Sequence, residues 1–260
     1  MDLTINYIVR MHVAIAKYRK MLTFGADETP LRSVAQNRTT IARMWTESVK
    51  IRKVANEKQQ LTAMLAISVS GDKLKPMIIH KGRIERCLIN FDLRNDILGA
   101  YSKNGWINGQ LMIQFLQNSV LPHAQGKPCA LSLDDFDAHW TSEVQAFADA
   151  NHIKLIRVPP GITGDYQSLD VRVNGILKMR QVAMQRSERI ENTDRKFNLH
   201  NAVRDFKSGW AKATSRDIKS SWSLMMFREN HIKIYFRIES GQECRLTCLQ
   251  KHATLIKNQK

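Results

Sequence analysis

The strongest constraint on the fold lies between Leu61 and Arg186, where short apolar runs alternate with stretches of helical period. The run LTAMLAISVS, the turn residues Gly71 and Asp72, and the run KLKPMIIHKG are two extended segments joined tightly, which predicts a β-hairpin. From Ile107 to Leu121, apolar Leu111, Phe115 and Val120 stand among polar positions at helical spacing, with Asn108 placed as N-cap and Pro122 as a stop. PCALSLDD then reads as a short strand ending in carboxylates, and TSEVQAFADAN as a helix. IKLIRV is a further strand, broken by Pro159, Pro160 and Gly161, and VRVNGILKMRQVAMQR is a long helix. This order predicts an α/β fold, a mixed sheet with helices packed on its faces.

Both flanks read as helical. INYIVRMHVAIAKYRK has the spacing of an amphipathic helix, and beyond about Ser187 the chain turns polar and then helical again, with Trp210 and Trp222 as packing anchors. Lys and Arg number 40 against 24 Asp and Glu, a formal charge of +16, which points to a polyanionic partner and first of all to nucleic acid. The plainer reading of that charge is a solvated cationic face. Four unevenly placed cysteines do not make a disulfide framework and fit a reducing, intracellular compartment. Cys244, Cys248 and His252 recur at helical spacing, but three ligands without a fourth make a weak zinc signal. No apolar run approaches the roughly 20 residues that span a bilayer, so no membrane association is expected.

Three acidic residues stand where a sheet brings strand ends together: Asp27 in FGADETPL, Asp134 in ALSLDDFDAH and Asp170 in GDYQSLDVRV. Ligand crevices of open α/β sheets lie outside the carboxyl ends of the strands. Carboxylates converging there repel one another, and a divalent cation with oxygen ligands relieves the repulsion. Two such cations are the arrangement that cuts phosphodiester bonds. Taken singly, each residue has a simpler role: Asp170 as a helix cap, Asp134 as a strand-end turn residue, Asp27 as the start of a turn before Pro30.

Four segments together carry a resemblance: FGADETPLRSVAQNRTT, QQLTAMLAISVSGDKLKPMIIHKGR, LSLDDFDAHWTSEV and IRVPPGITGDYQSLDVRVNGILK. In order and content they resemble the catalytic region of pogo/Tigger-type transposases, the jerky and centromere protein B-like branch of the DDE superfamily. A fainter echo follows at AVRDFKSGWAKATSRDIKSSW. The resemblance implies an RNase H-like core, with Asp27 on the first strand, Asp134 at the fourth and Asp170 near a late helix, as catalytic residues and metal ligands. Thirty-five residues separate Asp134 from Asp170, about the family's separation, which favours Asp170 over Asp165. Ser168 stands where the family has proline, and Asp135 and Asp137 add charge beside Asp134.

Further expectations follow from the resemblance. The chain is a metal-dependent DNA endonuclease and strand transferase using Mg²⁺ or Mn²⁺, two ions, on transposon ends and target DNA, acting in the nucleus as a homo-oligomer. The alternative is a catalytically inactive, transposase-derived nuclear DNA-binding protein. Residues 1–20 are expected to be the remnant of a linker to a missing DNA-reading region, 21–186 the catalytic domain, and 187–260 a basic helical extension. Residues 171 to 219 hold twelve basic against five acidic side chains, so phosphate contacts are expected there, at Arg172, Lys178 and Arg180. His139 has two readings, as a support for Asp134 or as a DNA contact, and Glu28 reads as a polar neighbour of the site.

Overall fold

The computed structural model describes residues 3–34, 60–88, 96–191 and 198–227, together with Phe91 and Leu93. Six strands form one sheet in the order β4-β3-β2-β1-β5-β6. They are β1 Thr23–Arg32, β2 Gln60–Ser68, β3 Met77–Lys81, β4 Leu98–Ser102, β5 Cys129–Leu133 and β6 Ile153–Arg157. The pairs β1 with β2 and β2 with β3 are antiparallel, and the remaining pairs are parallel. Consequently β1, β3, β4, β5 and β6 all run the same way, and their carboxyl ends open on one edge of the sheet. β2, central and covered on both faces, is buried at every residue after Gln60, which is why it is written as a nearly unbroken apolar run.

One face carries α2 Gly109–Phe115, a π-helical turn Leu116–Val120, α3 Leu121–Ala124 and α4 Ser142–Ala150. Phe24, Met64, Ile79 and Leu131 of the strands pack there with Leu111, Phe115, Val120 and Val144. Phe24, Met64 and Phe115 are completely buried, and each such side chain contributes about 1.5–3 kcal/mol through burial. The helices α1 Leu3–Tyr18, α6 Asn174–Glu191, α7 Leu199–Lys212 and α8 Ser215–Phe227 complete the domain, with a single turn α5 Thr163–Tyr166 leading into the π-helical segment Leu169–Val173 before α6.

Asn108 caps α2 as expected, its side chain accepting from Leu111 N at 2.9 Å. Pro122 does not stop that helix. It falls in the first turn of α3, just after the wider π turn, where its missing N–H breaks no ladder bond, and the helical run instead ends at left-handed Gln125 (φ 53°) and Gly126 (φ 70°). β4 was not anticipated. Leu98–Ser102 adds a parallel edge strand to β3, so Asp134 follows the fifth strand of this chain and not the fourth.

The expected boundaries at residues 20/21 and 186/187 do not coincide with the packing. The described residues up to Met226 form one compact unit. Tyr7 of α1 is buried with its hydroxyl 2.8 Å from Ser132 Oγ of β5, and Trp222 of α8 is 2% exposed against β1. An amphipathic helix buries its apolar stripe on whatever face is open, and here that face belongs to the sheet. Cys244, Cys248 and His252 lie outside the described residues.

Gly25 makes this second layer possible. A Cβ there would stand 2.3 Å from Ser168 Oγ and 3.0 Å from the Trp222 ring. Gly25→Ala is therefore expected to destabilise the fold by about 1–3 kcal/mol, read by thermal melting, and to displace the segment that carries Asp170.

Candidate active site

Strand alternation sends neighbouring acidic residues of β1 to opposite faces. Asp27 shares the face of Gly25, beneath the π-helical segment and α6, whereas Glu28 shares the face of Phe24 and Ala26, toward α2 and α4. Gly25 pairs with Ser132 in the parallel β1–β5 ladder, so the same register carried two residues on places Asp27 level with Asp134, just past the end of β5.

Asp170 lies in the π-helical segment, one turn before Asn174, so their side chains share a face. That spacing closes the site. Asn174 Nδ2 donates to Asp27 Oδ2 at 3.0 Å and to Asp170 Oδ1 at 2.9 Å, bringing the first and third aspartates onto one amide. Gln167 Nε2 donates to Ala26 O at 3.2 Å and ties the approach to Asp170 against β1. Asp170 is thus inside a helix and does not cap one.

Asp134 is held differently. His139 is 1% exposed; its Nδ1 lies 2.8 Å from Asp134 Oδ1 and its Nε2 lies 3.2 Å from Glu28 Oε1. The Nδ1 contact is short but not aligned as a straight hydrogen bond, and both its polar contact and its charge act on Asp134. Expected among the DNA contacts, His139 is enclosed between two carboxylates and has no surface to offer. Trp140 Nε1 donates to Asp134 O at 2.8 Å. The neighbouring carboxylate is engaged elsewhere: Asp135 Oδ1 accepts from Arg157 Nη1 at 2.6 Å, and the Arg157 guanidinium lies over the Trp140 ring. Asp134 and Asp135, indistinguishable by composition, are separated by their partners.

The electrostatics follow this geometry. Burial, then the charges of Asp170 and Asp134, hold the Asp27 carboxyl well above the usual carboxylate range, against opposing hydrogen bonds from the Glu28 backbone and Asn174. Burial works against the charged form of Asp134, but His139 and the Phe136 backbone N–H outweigh it and lower its pKa. Burial likewise pulls His139 down, yet Asp134 and Glu28 together push it up to about 9. A protonated imidazole therefore sits between two carboxylates at neutral pH.

The donor set fits a hard divalent cation. Asp27, Asp134 and Asp170 offer carboxylate oxygens whose mutual repulsion a cation removes, and the buried Oδ1 of Asn174 has no partner. Among the described residues no three His, Cys, Asp or Glu side chains are closed round one point as a finished cage. The Asn174 amide stands between two of the three aspartates instead. Of the expected phosphate contacts, Lys178 and Arg180 are exposed on α6, while Arg172 pairs with Asp217 at 3.3 Å.

Asn174 and Gln167 were not singled out from the sequence. The available signal is position: Gln167 and Asn174 bracket Asp170 within one short segment, and Asn174 lies at the i+4 spacing that shares a helical face.

A mixed sheet of this order, with carboxylates beside its two central parallel strands, defines an RNase H-like domain. Residues 58–222 match the model of the DDE superfamily endonuclease family, and the chain belongs to that family. Asp134 and Asp170 lie inside the matched span, and β1 with Asp27 precedes it. The chain is 27% identical over 158 residues to "Pogo transposable element with KRAB domain" from Mus musculus and from Homo sapiens. That match covers 57% of this chain and 24% of each relative, so the chain spans about a quarter of the length of those proteins. In fold it is similar to the Mos1 mariner paired end complex with Mn (TM-score 0.55, 10% identity, 88% of this chain and 61% of that one). The Mos1 strand transfer complex is similar to the same degree (TM-score 0.53, 10% identity, 88% and 60%).

Proposed function

We propose that this chain cuts and joins DNA as the catalytic domain of a pogo-type transposase, with Asp27, Asp134 and Asp170 holding two Mg²⁺ or Mn²⁺ ions. The carrying observation is the meeting of Asp27 and Asp170 on the Asn174 amide within range of the charge of Asp134. Structures similar in fold include a Mos1 complex with Mn and a Mos1 strand transfer complex, which supports divalent-metal chemistry on DNA.

When bound, paired divalent ions supply an activated attacking oxygen and a stabilised leaving oxygen for in-line displacement at phosphorus. The chain's own residues orient the acceptors. Asn174 spaces Asp27 from Asp170, Gln167 pins the Asp170 segment to β1, and His139, braced by Glu28, keeps Asp134 ionised and fixed. Lys178 and Arg180 on the exposed side of α6 supply phosphate contacts. Nuclear action, homo-oligomeric assembly on paired DNA ends, and a separate DNA-reading region belong to this same reading.

The test is nicking of supercoiled plasmid by the purified chain. Open circles should accumulate with Mg²⁺ or Mn²⁺ and not with chelator; absence of strand cutting with either metal overturns the nuclease assignment in favour of a DNA-binding role.

A further inference from the structure

A second feature opens on the same edge of the sheet as the carboxylates. A pocket of about 690 Å³ lies at the carboxyl ends of β3 and β4, lined by Lys81, Arg83, Lys103, Asn104 and Asn108 among others. Lys81, Arg83 and Lys103 are exposed, and among the described residues none of the three pairs with a carboxylate. Beside the pocket stands Trp106, 53% exposed.

An exposed indole usually marks a loose loop, but this one is mounted rigidly. Ser102 Oγ donates to Trp106 O at 2.7 Å, Trp106 N donates to Asn104 Oδ1 at 3.2 Å, and Thr62 Oγ1 donates to Gly105 O at 2.8 Å. Gly105 takes φ 81°, and a Cβ there would press within 3.2 Å of Lys81, so the turn closes only with glycine. The Trp106 backbone is held at both its N–H and its carbonyl, while about half of the residue stays exposed. On the side toward the carboxylates the Trp106 ring centroid is 6.5 Å from that of Phe136, which in turn lies edge-on to His139 at 5.6 Å. Trp106, Phe136 and His139 thus form a row of rings leading from beside the basic pocket toward Asp134.

The geometry points to a binding site for an unpaired nucleotide of the DNA strand, with its base stacked on Trp106 and its adjoining phosphates in the pocket of Lys81, Arg83 and Lys103. Cations without acidic partners take phosphate, and a prefixed aromatic face takes a base with little further loss of freedom. A duplex keeps its bases stacked on one another, so the indole selects strands opened beside the cut. This inference rests on the nuclease reading for the strand's path to the carboxylates.

The test uses fluorescein-labelled DNA, one blunt duplex and one with a single-stranded 3′ overhang, titrated in chelator so that no cleavage occurs. Trp106→Ala should weaken overhang binding about tenfold or more, Trp106→Phe should retain most of it, and blunt duplex binding should not change. Replacing Lys81, Arg83 and Lys103 together by Ala should weaken both and flatten the dependence of log affinity on log salt by about two. Wild-type overhang binding by a folded Trp106→Ala, or equal losses on both DNAs, overturns the stacking site. Because binding is read without metal, Trp106-dependent binding in a chain that never nicks plasmid would fault the nuclease reading and leave this site standing.

Discussion

Asp27→Asn should make the metal-free protein more heat-stable while lowering metal-dependent nicking by at least about a thousandfold. Asp27 is 8% exposed, and burial with the charges of Asp170 and Asp134 raises its pKa in the folded state. A folded-state pKa above the unfolded one means that the native protein binds the proton more tightly. Stability then falls as pH rises from about 3.9, the unfolded value, through the raised one. Asparagine keeps an oxygen to accept from Asn174 and carries no charge, so it escapes that loss. The variant should gain about 1–3 kcal/mol, with the gap over wild type widest at high pH and closing in acid. Scanning fluorimetry across pH reads the gain. Added Mg²⁺ should raise the melting temperature of the wild type and not of the variant, because only the former retains the full carboxylate set. A destabilised Asp27→Asn, or one that still nicks, would overturn the assignment of Asp27.

The second large effect belongs to His139. Its protonated ring bridges Glu28 and Asp134 with almost no exposure, and its folded pKa of about 9 exceeds the unfolded value of about 6.5. The stabilisation is complete below the unfolded pKa and is lost as pH rises through the folded one. At neutral pH it amounts to about 3 kcal/mol, and most of it should be gone above pH 9. His139→Ala should show that loss in chemical denaturation at pH 7, with the difference from wild type shrinking by pH 10. Asp134 would then lose the partner that orients it, and nicking should fall about ten- to a hundredfold. Glu28→Gln keeps an acceptor for the ring but removes one charge. It should lower the pH at which the stabilisation fades and reduce nicking less than His139→Ala. Denaturation curves for wild type and His139→Ala that stay parallel across pH would remove the ionic bridge from the account.

Much of this was legible in residue order. The carboxylates stand at breaks between apolar runs, and the 35 residues from Asp134 to Asp170 span a helix, a strand and a turn before the second helix begins. The hairpin β2–β3, the cap at Asn108 and the burial of Trp222 followed from local chemistry. Other features were not legible for a common reason. β4 is five residues whose partner lies across the sheet edge, and Pro122 stops a regular α-helix but not one that has just widened into a π turn. The flanking helices looked like appendages because their apolar stripes are visible in sequence while the surface that receives them is not.

Local chemistry thus determined which segments are strands and helices, and that acidic residues would cluster at the strand ends. Those outcomes depend on periodicity and on neighbours within a few residues. Only the tertiary structure decided which acidic side chain faces which partner: Asp27 toward Asn174 and Glu28 toward His139, Asp134 toward His139 and Asp135 toward Arg157. Adjacent residues of like charge are alike until the faces of the sheet are covered. For Asp27 and Glu28 those partners lie more than a hundred positions away in sequence, and the energy of a buried charge depends on such neighbours far more than on the residue's own type.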